Sequence, residues 1–289
     1  MEPSAATPPM AMPGCKDSCG GVTIPYPFGF GEEHCYHEKA FEINCKVSAN
    51  NTAKPFLTPF NLEVLRISLE SQNVTVNVPV VPICRGSPWT SPNLTGSPFR
   101  FSDYNIFTVR GCGNALLTNQ SGEIVGGCAT TCDSSITTRG CYGINCCETH
   151  IPSGLAIYNI TTTDTTTEKC TPSFLWYQDN YPIPAGNFSN IRSTPVLLDW
   201  MITSLHNLPP ARSYPDQRCS AQSFVDGMRT YSCQCPYYNE GNPYISNGCQ
   251  VVPACAGCIR SCAENSSTYT DIGKGIDLIN ITATRKKNR

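Results

Sequence analysis

The sequence predicts a mostly β, disulfide-rich protein, made of small irregular β modules with one short helix. Three observations lead there. Nineteen cysteines in 289 residues far exceed ordinary usage and point to a disulfide framework in an oxidising compartment. The stretch from residue 46 to 110 carries short apolar–polar alternations rich in β-branched residues, the period of half-buried strands. Residues 111–150 combine dense cysteine with glycine and threonine and little apolar content, so crosslinks must stand in for a core there.

Composition excludes other classes. Charged residues are 15% and the formal net charge is −2, without the dense basic face that displaces phosphate counterions, so no nucleic acid is expected as a partner. Eight N-x-Ser/Thr sequons, at Asn50, Asn73, Asn93, Asn119, Asn159, Asn187, Asn265 and Asn280, agree with a secreted glycoprotein. Residues 1–14 carry neither the basic nor the apolar region of a signal peptide, so a leader is expected to have been lost or replaced. The apolar runs Val76 to Ile83 and Val196 to Leu205 are short and broken by Pro or Asp, and no membrane span is expected.

Residues 1–14 read as a disordered N-terminus. Next comes a strap, Ile24-Pro25-Tyr26-Pro27-Phe28-Gly29, set among Cys15, Cys19, Cys35 and Cys45. Its prolines fix φ, remove two donors and push Ile24 and Tyr26 toward extended backbone, so it is neither helix nor central strand. Leu62 to Cys84 alternates at Leu62, Val64, Ile67, Leu69, Val74, Val76 and Val78, with a break at Ser71-Gln72-Asn73: a hairpin. Trp89 lies in a Ser/Pro-rich loop, and Phe99–Phe101 and Asn105–Val109 read as strands. The cysteine block holds Cys112, Cys128, Cys132, Cys141, Cys146, Cys147 and the later Cys170. Vicinal Cys146 and Cys147 should take different partners, because a bridge between neighbours is strained. Leu155–Tyr158 and Ser173–Tyr177 read as strands, and Thr194 to Leu205 as the short helix, with a Thr-Pro start and near-helical apolar spacing. Residues 207–217, with three prolines, read as a linker. Residues 218–262 form a small cysteine-rich module and 263–289 a polar tail ending in a basic cluster.

Several spaced features together carry a resemblance. CxxxCG, IPYPFG and FxxxC between Cys15 and Cys45 resemble the galacturonan-binding module of plant wall-associated receptor-like kinases. IFTVRGCGNALL, the GCATTC run, GINCCETHIPSGL, PVLLDW and GNPYISNGC are similar to the same receptors' ectodomains. YxCxC with GNPY and GC, from Tyr231 to Cys249, resembles a degenerate EGF-like repeat. The resemblance divides the chain into a galacturonan-binding module (15–115), a second cysteine-rich module (116–206), the linker and an EGF-like module (218–262). It implies pectic polysaccharide or oligogalacturonides as partner, in the cell wall or outside the plasma membrane, with anchoring if the chain belongs to a full-length receptor. The repeat lacks a cysteine near Phe224, and Gln250–Ala254 replaces the acidic calcium ligands, so no calcium site is expected. No kinase motif is present.

The expected function is non-enzymatic binding of de-esterified galacturonan, for cell-wall sensing; the alternative is recognition of a peptide or protein in defence or development signalling. A polyanionic chain calls for Lys and Arg gripping carboxylates and aromatic rings stacking on sugars. The candidates are Lys39, Lys46, Lys54, Arg66, Arg85, Arg100 and Arg110, with Tyr26, Tyr36 and Trp89 as platforms. Tyr26 and Phe28 also suit the strap's core. Eight Lys/Arg face eight Asp/Glu from Cys15 to Ala115, so attraction requires clustering in space. No G-x-S-x-G occurs, and the adjacent Glu32-Glu33 pair suits a solvated loop. The cysteines expected in disulfides are Cys15, Cys19, Cys35, Cys45, Cys84, Cys112, Cys128, Cys132, Cys141, Cys146, Cys147, Cys170, Cys219, Cys233, Cys235 and Cys249, with pairing open. Cys255-x-x-Cys258-x-x-x-Cys262 and His34-Cys35-Tyr36-His37 read as bridged segments, and neither metal nor cofactor is expected.

Overall fold

A computed structural model describes residues 8–80, 82–84, 88–133, 135, 140–162, 170–178, 191–205, 208, 218–223, 227–236 and 239–251. Strands dominate them. The first eight are β1 (Ser18–Cys19), β2 (Val22–Thr23), β3 (Ile43–Val47), β4 (Ala53–Leu57), β5 (Leu62–Ser68), β6 (Asn73–Pro79), β7 (Pro82–Ile83) and β8 (Trp89–Thr90). Next come β9 (Phe99–Phe101), β10 (Ile106–Arg110), β11 (Gly113–Thr118), β12 (Ile124–Thr130), β13 (Cys146–His150), β14 (Asn159–Thr161), β15 (Thr171–Trp176) and β16 (Ser193–Trp200). The last are β17 (Arg218–Ser223), β18 (Arg229–Gln234), β19 (Asn239–Gly241) and β20 (Cys249–Val251). Among the described residues, helix is limited to 3-10 turns at Glu33–Cys35 and Lys39–Phe41.

The chain forms two compact units. The larger comprises Ala11–Leu208 and Cys219–Ser232, and the smaller Met1–Met10, Pro209–Arg218 and Cys233–Arg289. The larger is built on a six-stranded sheet in the order β3-β4-β5-β6-β16-β9. It also holds two four-stranded sheets, β13-β10-β15-β7 and β12-β11-β14-β8, and the two-stranded sheet β1-β2.

The β5–β6 hairpin forms where the alternation places it, with a bulge between Val64 and Arg66. Period two then assigns each side chain to a face. One face is core: Ile43, Leu57, Val64, Val74, Val76, Val196, Leu198, Trp200, Phe99 and Phe101 are all at most 2% exposed. The strap packs against it. Phe28 stands edge-on to Phe41 and to Trp200, with centroids 5.0 and 5.4 Å away, and Phe41 lies 5.3 Å from Phe99. Such pairs add to the area they bury. Gly29 is required where the strap leaves this cluster: a Cβ there would sit 1.9 Å from the Cys35 carbonyl oxygen.

Three expectations need correction. Thr194 to Leu205 contains no helix: Ser193–Trp200 is β16, antiparallel to both β6 and β9. An inner strand covered on both faces shows a near-continuous apolar run, and in a short segment that run looks like a helix. Its second face is covered at Leu197, 2% exposed, and along its β9 edge the Leu197 backbone amide and carbonyl bond the buried side-chain amide of Asn105. Leu155–Tyr158 is not a strand either; Leu155 makes an isolated bridge to Phe101, while Trp89 sits in β8 rather than a loop. The boundary at 115/116 falls inside β11, and β16, β14 and β15 share sheets with strands from before it. Ala11–Leu208 lies within one compact unit.

Disulfides join Cys15–Cys35 and Cys19–Cys45 around the strap, then Cys84–Cys170, Cys112–Cys132, Cys128–Cys147 and Cys141–Cys146. Cys146 and Cys147 thus take different partners. Cys219 and Cys233 are each held in a disulfide as well. In the smaller unit the GNPYISNGC run closes the β19–β20 hairpin over the Cys235–Cys249 bridge. Buried Asn242 organises its turn, accepting from the Tyr244 amide and donating to the Met10 carbonyl. Cys255, Cys258, Cys262, the tail and most of the linker lie outside the described residues.

Candidate functional site

The other face of the six-stranded sheet is polar at its β3–β4–β5 end. Lys46 and Lys54 are direct cross-strand partners on β3 and β4. Phe56, one pleat on from Lys54, pairs with Glu63 on β5, and Glu63 pairs with Asn77 on β6. Beyond the bulge, Arg66 pairs with Thr75 and so lies on the same face. Three of the sequence-predicted cations therefore share one surface on adjacent strands.

This surface borders an open groove of about 550 Å³. It is lined by Phe56, Phe60, Asn61, Leu62, Glu63 and Asn77 from β4, β5, their connection and β6, by Trp89, Thr90, Ser91 and Pro92 from β8 and the residues after it, and by Pro79 and Ser193. Trp89 is held there by β8–β14 pairing and by the Tyr158 ring, 5.6 Å away. Thr90 Oγ1 donates to Asn159 Oδ1 at 2.7 Å.

The two ammonium groups are placed, not merely nearby. Lys46 Nζ lies 4.2 Å from the Phe56 ring centroid and donates to Asn61 Oδ1 at 2.6 Å. Lys54 Nζ bridges Glu63 Oε1 at 2.7 Å, and Asn77 donates to Glu63 Oε2 at 3.0 Å. Burial pushes the Glu63 carboxyl up, but hydrogen bonds from Lys54 and Asn77 and the Lys54 charge outweigh it and hold the group below its ordinary value. Like charges directly opposite on a sheet are destabilising. Here they face an aromatic-lined groove, with one carboxylate set against two ammoniums. That arrangement can take a sugar ring against Trp89 or Phe60 and a carboxylate at the lysines.

The remaining candidates fall elsewhere. Lys39 is exposed and paired with Glu42 at 2.7 Å. Arg110 is half-buried and bonded to Glu148 at 2.8 Å. Arg100 is 1% exposed, its guanidinium donating to the carbonyls of Ser97 and Phe99, so it cannot reach a polysaccharide. Tyr26 and Tyr36 are buried and offer no platform. The Tyr26 hydroxyl lies 3.1 Å from His37 Nδ1, and burial first, then the Glu38 charge, push its phenol up to about 12. Arg85 lies outside the described residues, as do Asn187, Asn265 and Asn280. Asn50 and Asn93 are exposed and Asn73, Asn119 and Asn159 half-buried.

His34 Nε2 lies 3.4 Å from Cys15 Sγ, but that sulfur is joined to Cys35 and is no thiolate ligand. His37, 9% exposed, is engaged by Tyr26 and by the Ser204 carbonyl at 2.8 Å. Sequence reasoning missed Phe56, Phe60, Asn61, Asn77 and Ser193. KPFLTPF, following Lys54 directly, was the available signal for the two rings.

Comparison with known proteins fits this geometry. Residues 15–78 match the wall-associated receptor kinase galacturonan-binding family, a span holding Lys46, Lys54, Phe56, Phe60, Asn61, Glu63 and Asn77. Wall-associated receptor kinase-like 6 of Arabidopsis thaliana is 31% identical over 87% of this chain and 46% of its own length. Wall-associated receptor kinase-like 1 is 30% identical over 87% of this chain and 40% of its own, and wall-associated receptor kinase 2 is 28% identical over 88% and 36%. The chain thus spans less than half the length of these relatives. No solved structure matches it. Among the described residues no helix is long and apolar enough to cross a membrane. The match covers the relatives' extracellular, non-catalytic region, which puts this chain in the extracellular space or cell wall. Over most of its length, with a galacturonan-binding module at residues 15–78, the chain is similar to the extracellular region of plant wall-associated receptor-like kinases.

Proposed function

We propose that the chain binds de-esterified galacturonan in this groove, as the recognition part of a cell-wall-sensing receptor-like protein. The observation that carries the proposal is the coincidence of the family match with a sheet face that sets two lysines opposite each other across a strand pair. Sugar rings stack on Trp89 and Phe60, Asn61 and Asn77 meet hydroxyls, and Lys46 and Lys54 meet a carboxylate. The action is binding alone, with no bond made or broken in the polysaccharide. Because the attraction is largely between solvent-exposed charges, it weakens as salt rises.

Calorimetric titration of the whole chain tests this. De-esterified oligogalacturonides should bind at low salt, more weakly as salt rises, while neutral glucans and fully methyl-esterified chains give little heat. Equal responses to charged and neutral glycans would remove the reading.

A further inference from the structure

Two of the sequons stand at one end of this groove. Asn159 is the cross-strand partner of Thr90, and its Oδ1 accepts the Thr90 hydroxyl at 2.7 Å. Thr90 itself lines the groove, so the Asn159 side chain sits at the rim. Asn93 follows Pro92, another lining residue; it is exposed, and its Oδ1 accepts the Thr95 amide at 2.9 Å. Both bonds use the amide oxygen. N-glycosylation uses the nitrogen: Nδ2 bonds the anomeric carbon of an oligosaccharide, loses a proton and displaces the lipid pyrophosphate that carried the sugar. The two demands do not compete: the bond to Oδ1 fixes the amide and leaves Nδ2 to carry the sugar. Asn119 differs: both of its amide ends bind Glu123, on the β11–β12 hairpin, which contributes no groove residue. Asn50 stands in the β3–β4 turn, past the lysine pair.

We propose that N-glycans on Asn93 and Asn159 close the Trp89 end of the groove, so that it admits chain ends and short oligomers but not the interior of a long polymer. An N-glycan is bulky and hydrophilic. Two of them, one beside Thr90 and one beside Pro92, leave a short ligand free to enter from the lysine side and stop at the tryptophan. A polymer would have to continue through them. The identity of the ligand rests on the galacturonan reading above; the closed end does not.

The test uses the full chain made in a secretory host. Mass spectrometry reads occupancy at Asn93 and Asn159. Thr95→Val with Thr161→Val removes both sequons and leaves each asparagine and its Oδ1 bond in place; Thr95→Ser with Thr161→Ser keeps the sequons as a control. Trp176 and Trp200 are 6% and 0% exposed, so quenching of tryptophan fluorescence by solutes reports chiefly on half-buried Trp89. Acrylamide should quench both forms alike, while a nitroxide-labelled dextran should quench the valine variant severalfold more than the serine control. Unoccupied asparagines, or equal dextran quenching, would overturn the proposal. If galacturonan binds, the valine variant should also gain affinity for long polymer severalfold with little change for short oligomers. Absence of binding in both forms would remove the galacturonan reading and leave the quenching result to decide the closed end.

Discussion

At the scale of single residues, the groove depends on a few side chains whose partners are known. Lys46→Ala removes an ammonium seated on Phe56. A hydrogen bond to a charged group contributes about 1.5–3 kcal/mol, so oligogalacturonide affinity should fall by about tenfold or more, with stability little changed. Lys54→Ala should weaken binding further, because it also leaves Glu63 uncompensated beside the anionic ligand; calorimetry reads both. Asp199 on β16 offers a pH test. Burial first, with the Asp103 charge adding, pushes its carboxyl up to about 6, and its cross-strand neighbours are Arg100 and Asn73. The folded protein then holds this proton more tightly than the unfolded chain, whose carboxyl titrates near 4. This contribution to stability is present below about pH 4 and is lost as pH rises through about 6. Asp199→Asn should raise the melting temperature near pH 7 and flatten its fall between pH 4 and 6, each unit of the displacement being about 1.4 kcal/mol. The cations were legible as residue types, yet Arg100 looked like Lys46. What separates them is packing: Arg100 is buried and bonds backbone carbonyls, while Lys46 is exposed.

At the scale of elements, the strap and β16 form one device. Phe28 and Phe41 are 0% exposed and meet Trp200 and Phe99 across the sheet's core face. Phe28→Ala or Phe41→Ala should cost about 3–5 kcal/mol, seen as a lower denaturation midpoint in urea. The strap's extended, bridged character was readable from its prolines and cysteines, because those constraints are local. The nature of β16 was not. Val196, Leu197, Leu198 and Trp200 satisfy a helical spacing as well as a strand enclosed on two sides, and the choice was made by β6 and β9, far away in sequence.

At the scale of the whole molecule, crosslinks and sheets tie the two sequence halves together. Cys84–Cys170 closes a separation of 86 residues, against 5 for Cys141–Cys146. In a chain-entropy account the long loop contributes about 4.5 kcal/mol and the short one about 2. Paired Cys→Ala variants at 84 and 170 should therefore lower the melting temperature more than those at 141 and 146. A segment of residues 15–115 made alone should fail to unfold cooperatively, since it lacks β16 between β6 and β9, whereas the chain through Leu208 should do so. A sharp transition from 15–115 alone would show that the sheet does not need its inserted strand.

The sequence by itself determined the class of protein, the strap, the β5–β6 hairpin and the division of the vicinal cysteines. Each follows from local rules of period, proline geometry and sulfur chemistry. Only the tertiary structure decided which cations share a face, which tyrosines are core and which rings line the groove with Trp89. Those depend on strand register between segments distant in sequence, and a shift of one residue sends every side chain to the opposite face.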